Sequence, residues 1–143
     1  MEKERILVVD DEEAVREMVS KIINLIGHEV VTTGSGKEAL EILKNEPFSL
    51  MITDIKMPEM DGFELMKAVR NQFPDTHIIC MTAHGGSYTY TDVVGAGARD
   101  YITKPFTIDE MKAKLNRVIR EKDLIIDLTQ KSTELEKANL ELK

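Results

Sequence analysis

Five short apolar runs, each followed by a stretch with helical spacing, constrain this chain more than any other feature. Strands are expected near residues 5–9, 29–33, 49–53, 77–82 and 99–103. Near-continuous apolar runs such as Ile6-Leu7-Val8-Val9 and Ile78-Ile79-Cys80-Met81 fit strands covered on both faces. Strands alternating with helices imply an α/β fold in which a parallel sheet is packed between two helical layers.

The helices carry their own start and stop signals. The first is expected near 12–26, with Val15, Met18, Val19, Ile22, Ile23 and Ile26 on one face and Gly27 as its stop. A second, near 36–45, follows a capping box of Ser35 and Glu38 and ends before Pro47. The third, near 62–72, opens at Asp61 and stops before Pro74. Residues 86–97 are rich in glycine and β-branched side chains, so the fourth helix is expected to be short or mobile. Thr107 and Glu110 form a further capping box, and neither glycine nor proline occurs from Phe106 to Lys143. A helix running to the end of the chain would span about 55 Å.

A length of 143 residues suits one domain with an appendage, and a formal charge of −7 argues against a nucleic-acid partner. Cys80, the single cysteine, lies in an apolar run and reads as a buried, inert thiol. No apolar h-region follows Met1-Glu2-Lys3-Glu4-Arg5 and no run reaches the length of a membrane span, so a cytoplasmic location is expected.

Function is written at the strand ends. In an open parallel sheet the ligand site lies beyond the carboxyl ends of the strands, where Asp10, Asp11, Asp54, Thr82 and Lys104 all fall. Each has a plainer reading alone: an N-cap for the acid pair, a turn residue for Asp54, a surface charge for Lys104. Together, three close acids without a cation would repel one another and raise their pKa values. Mg²⁺ suits such a site, because it binds through one or two carboxylates and leaves positions for water and phosphate oxygens. Lys104 offers a compact charge and Thr82 a hydroxyl donor to a phosphoryl group. Asp54, in a connection that does not immediately open a helix, is the acid suited to attack phosphorus and form an acyl phosphate.

Four motifs resemble the receiver domain of two-component response regulators: Ile6-Leu7-Val8-Val9-Asp10-Asp11-Glu12, Thr53-Asp54-Ile55-Lys56-Met57-Pro58-Glu59-Met60-Asp61-Gly62, Met81-Thr82-Ala83, and Gly97 to Phe106 with Lys104-Pro105 near its end. The resemblance covers residues 4–122. It implies a flavodoxin-like, doubly wound sheet of five strands in the order 2-1-3-4-5. It further implies that Asp54 accepts a phosphoryl group from a histidine kinase or phosphotransfer protein. Asp11, Asp54 and the backbone carbonyl of Lys56 would bind Mg²⁺, with Asp10 helping through water. Thr82 and Lys104 would clasp the phosphoryl oxygens, and Thr82 with Tyr101 would act as the switch, changing the face made by helix four, strand five and helix five. Such a domain promotes its own phosphorylation and dephosphorylation and is not otherwise an enzyme. The resemblance also implies a cis Lys104-Pro105 bond, the plain alternative being a trans turn. Lys56 and His84 occupy positions that influence loss of the phosphoryl group, although His84 reads equally as a solvated loop residue. Ser87-Tyr88-Thr89-Tyr90-Thr91 and Gly95 depart from the family's usual fourth helix.

Residues 123–143 read as a helical extension. Leu128, Leu135 and Leu142 at d, with Ile125, Ser132 and Asn139 at a, make a heptad pattern suited to a coiled-coil homodimer in which Asn139 sets register. A solvated helix that only looks periodic is the alternative. Two rival functions are a phosphorylation-silent dimerisation module and a Mg²⁺-dependent phosphohydrolase using Asp54. The second needs another acid two residues on, where Lys56 stands.

Overall fold

The computed structural model describes residues 3–83 and 89–141, with side-chain surroundings up to Ala138. His84, Ser87, Tyr88, Leu142 and the side chain of Asn139 therefore lie outside the described residues. The chain alternates through β1 (Arg5–Val9), α1 (Glu13–Ile26), β2 (Glu29–Thr33), α2 (Gly36–Asn45), β3 (Leu50–Asp54), α3 (Gly62–Gln72), β4 (His77–Ala83), α4 (Tyr90–Gly95), β5 (Asp100–Lys104) and α5 (Ile108–Glu141). All strand pairs are parallel, in the order β2-β1-β3-β4-β5.

Alternation along the strands builds two cores. Leu7, Val9, Met51, Ile78 and Cys80 face α2, α3 and α4, while Ile6, Val8, Leu50, Ile52, Ile79 and Met81 face α1 and α5. The central strands β1, β3 and β4 are covered on both faces, which explains why they read as unbroken apolar runs. Each fully buried aliphatic side chain contributes about 1.5–3 kcal/mol.

The helix signals are read out with small changes. Gly27 takes the left-handed conformation (φ 100°), and its N–H closes on the carbonyls of Ile23 and Asn24. Of the predicted apolar face, Val19, Ile22 and Ile23 are buried and Val15 and Ile26 pack beside them, but Met18 is 38% exposed. At 100° per residue Met18 falls on the edge of the stripe. Ser35 and Thr107 accept from the N–H groups of Glu38 and Glu110, as cap residues should. The reciprocal box forms instead at Thr89 and Asp92, which open the six-residue α4. β3 and β5 each lie one residue later than expected, so Asp54 and Lys104 are the final strand residues and not the first loop residues.

In α5, Met111, Leu115, Val118 and Ile119 are buried against the sheet. Lys122 is the last buried residue; from Asp123 to Ala138 every side chain is exposed. No helix among the described residues is long and apolar enough to cross a membrane.

Candidate functional site

Parallel register carries the chemistry to one rim. Asp54 at the end of β3 pairs with Met81, one residue before Thr82, and Ala83 pairs with Lys104 at the end of β5. On the other side β1 ends at Val9, opposite Thr53, so Asp10 and Asp11 emerge beside Asp54.

Asp10 is fully buried and all its polar groups have partners. Oδ1 accepts from the Glu12 N–H at 2.9 Å, Oδ2 from Lys104 Nζ at 2.7 Å, the carbonyl from Arg16 Nη1 at 2.7 Å, and the Asp10 N–H donates to the Thr33 carbonyl at 3.2 Å. Such complete pairing is what a buried carboxylate requires. Asp11 is exposed and does not cap α1, whose N-cap is Glu12 with no side-chain hydrogen bond. The plain N-cap reading of the acid pair thus fails.

Asp54 is buried; Oδ1 accepts from the Ile55 N–H at 2.8 Å and Oδ2 lies 3.3 Å from Lys104 Nζ. One ammonium therefore serves two carboxylates. Burial pushes the Asp54 carboxyl above its ordinary value and the Asp10 charge adds to this, against the opposing pull of Lys104. Burial works against the Lys104 ammonium, but its hydrogen bond to Asp10 and the charges of Asp10 and Asp54 raise its pKa overall. The Cys80 thiol is pushed up to about 12 by burial and then by Asp54, which makes it inert.

A divalent cation fits this donor set. Oxygens of Asp10, Asp11 and Glu12 lie within 4.8 Å of one another, and Asp54 carries a further hard carboxylate oxygen at the adjacent strand end. Glu12 belongs to this cluster although it was absent from the predicted metal set; its place directly after Asp10-Asp11 was the available signal. The Lys56 side chain is exposed.

Thr82 is half-buried, its hydroxyl 3.5 Å from the Ile102 carbonyl. Tyr101, also half-buried, meets Tyr90 of α4 edge-on at 5.5 Å between ring centroids. Lys114 Nζ lies 5.3 Å from the Tyr101 ring. The Lys104-Pro105 peptide is cis.

Gly62 has a role invisible in the sequence. A Cβ there would sit 2.2 Å from the Asp54 carbonyl oxygen and 2.7 Å from the Ile55 Cα, so only glycine lets α3 begin this close to the site. Its N–H donates to the Ile55 carbonyl at 2.6 Å, closing the loop that follows Asp54.

The family profile described as "Response regulator receiver domain" matches residues 6–116. A probable transcriptional regulator, ycf27, of Porphyra purpurea is 39% identical over 124 residues, covering 87% of this chain and 51% of that protein. Response regulator protein FleR of Pseudomonas aeruginosa is 40% identical over 116 residues, covering 81% of this chain and 24% of FleR. The chain thus spans about half of one relative and a quarter of the other. Among solved structures, the chemotaxis response regulator CheY4 of Vibrio cholerae superposes with a TM-score of 0.76 at 34% identity, covering 82% of this chain and 99% of CheY4. NtrX of Brucella abortus gives a TM-score of 0.86 at 28% identity over 90% of this chain and 29% of NtrX.

Proposed function

The chain belongs to the response regulator receiver domain family, and we propose that it is a phosphorylation-dependent signalling switch whose phosphoacceptor is Asp54. The observation that carries this reading is the Lys104 ammonium held between Asp10 and Asp54 at the rim where four strands end. A carboxylate oxygen of Asp54 attacks phosphorus of a phosphohistidine on a kinase or phosphotransfer protein. The O–P bond forms as the P–N bond breaks, and the imidazole leaves with the bonding pair.

Asp11, Asp54 and the Lys56 carbonyl would hold Mg²⁺, with Asp10 acting through water. The ion supplies charge neutralisation at the phosphoryl oxygens. Lys104 is positioned to exchange its bond to Asp54 for one to a phosphoryl oxygen, remaining anchored by Asp10. Thr82 needs only to give up a long contact with the Ile102 carbonyl to turn toward the phosphoryl group. Tyr101, packed edge-on against Tyr90, links that movement to α4.

We place the receiver unit at 4–122 and a helical extension at 123–143. The exposure of Ile125, Leu128 and Leu135 supports a second copy of the chain as a partner of that extension.

The decisive experiment incubates the protein with Mg²⁺ and a small phosphodonor and weighs it intact beside Asp54→Ala. One hydroxylamine-sensitive phosphoryl group is expected on the wild type and none on the variant. A wild type that gains no mass sinks the proposal.

A further inference from the structure

We infer that Arg16 and Gly34 act together as a positioning pair for the acidic site: the Arg16 guanidinium, seated where Gly34 has no Cβ, fixes the peptide that joins Asp10 to Asp11. The inference rests on the Mg²⁺ site proposed above. Arg16 Nη1 donates to the Asp10 carbonyl at 2.7 Å. That carbonyl belongs to the planar peptide leading to Asp11, so holding its oxygen sets the direction from which the Asp11 side chain leaves the backbone. Without Arg16, a part-buried acceptor just past the end of β1 loses its partner and the peptide gains freedom to turn.

The guanidinium also fits closely beside Gly34. A Cβ on Gly34 would stand 3.2 Å from Arg16 Nη1, 3.8 Å from Cζ and 3.9 Å from the Asp10 carbonyl oxygen. Gly34 lies in the β2–α2 connection, just past Thr33, whose carbonyl receives the Asp10 N–H. The carbonyl and N–H of Asp10 are therefore held from two directions, by α1 and by the end of β2.

A surface role for Arg16 is not supported. Glu12, Glu13 and Glu17 neighbour it on α1, yet among the described residues no ion pair to its guanidinium is formed. Its donor goes to the backbone of an acid whose carboxylate is already occupied by Lys104 and the Glu12 N–H. Neither Arg16 nor Gly34 offers a ligand to the metal.

The test measures Mg²⁺ affinity by calorimetry, with amide NMR shifts of residues 10–12 as a second reading, for wild type, Arg16→Ala, Arg16→Lys, Gly34→Ala and the Arg16→Ala/Gly34→Ala double variant. Residues that orient a metal's ligands typically change affinity by about 10-fold or more, so Arg16→Ala is expected to weaken binding about 10-fold. Gly34→Ala should weaken it in the same sense. The double variant should be no weaker than Arg16→Ala alone, because both changes remove one contact. Arg16→Lys should recover part of the loss. Sign separates positioning from simple charge: deleting a cation near an acidic site by itself tightens Mg²⁺ binding. Equal or tighter binding by Arg16→Ala, or additive losses in the double variant, would overturn the inference. If Arg16→Ala fails to fold, Gly34→Ala and Arg16→Lys decide the matter by the same measurement. A wild type that binds no Mg²⁺ removes the proposed metal site and this inference with it. Normal wild-type binding with unaffected variants removes the inference alone.

Discussion

Lys104 faces two carboxylates with a single charge, Asp10 at 2.7 Å and Asp54 at 3.3 Å. Asp54 is the less well served, and its pKa lies above the ordinary value of 3.8. A carboxyl raised on folding contributes stability below its unfolded pKa and loses it as pH rises through the folded value. In Mg²⁺-free buffer at pH near 7, Asp54→Asn is therefore expected to melt a few degrees above wild type; an equal or lower midpoint by calorimetry would contradict the electrostatic account. His77 works at the opposite rim. Burial, then Arg99 and Lys122, lower its pKa below the ordinary 6.5. The unfolded chain then takes up a proton first, so stability should fall as pH drops from about 6.5 toward the lowered folded value. His77→Gln should flatten that slope, as denaturant midpoints across the range would reveal.

At the scale of elements, α5 is two helices in one. Up to Lys122 it has an amphipathic face against the sheet, and beyond it the side chains are solvated. The junction is a buried ion pair: Lys122 Nζ lies 3.1 Å from Glu4, with side-chain exposures of 8% and 10%. Glu4 is tied further by its backbone N–H, which donates to His28 Nδ1 at 2.9 Å. Breaking a buried pair from one side strands a charge and costs about 3–5 kcal/mol, whereas replacing both members with apolar residues is often neutral. Lys122→Met should therefore lower stability by about 3 kcal/mol in urea unfolding, and adding Glu4→Met should restore most of it. Similar losses in the single and double variants would show that the pair is not the cause. Ser35, Asp61 and Thr107 were legible as caps because the N-cap bond is local. Gly62 was not, since the atoms that forbid a Cβ belong to Asp54 and Ile55 in a different element.

For the whole molecule, α5 starts beside the acidic rim and runs back along the sheet, so the extension leaves from the opposite rim, where Glu4 immediately precedes β1. Its exposed Ile125, Leu128 and Leu135 repeat at heptad spacing. Lys131 and Glu136 then fall at g and e, the positions whose charges pair between parallel strands. Residues 1–143 are expected to sediment as a dimer and residues 1–122 as a monomer. Two monomers would leave the extension a solvated helix, the other reading of its periodicity.

Sequence alone determined the alternation of strands and helices, because burial on both sheet faces forces unbroken apolar runs and helix ends need local caps. It also marked Asp10, Asp11, Asp54, Thr82 and Lys104, since a parallel sheet sends its strand ends to one rim. Tertiary structure alone decided which charges touch: that Lys104 holds Asp10 more closely than Asp54, that Arg16 spends its donor on a backbone carbonyl, and that Lys122 meets Glu4. Those partners lie 94, 6 and 118 (122 − 4) residues apart along the chain. Spacing in a chain does not encode such distances. They follow from the register of strands and the packing of α1 and α5, which take a few polar atoms out of water and leave only their folded-state neighbours to satisfy them.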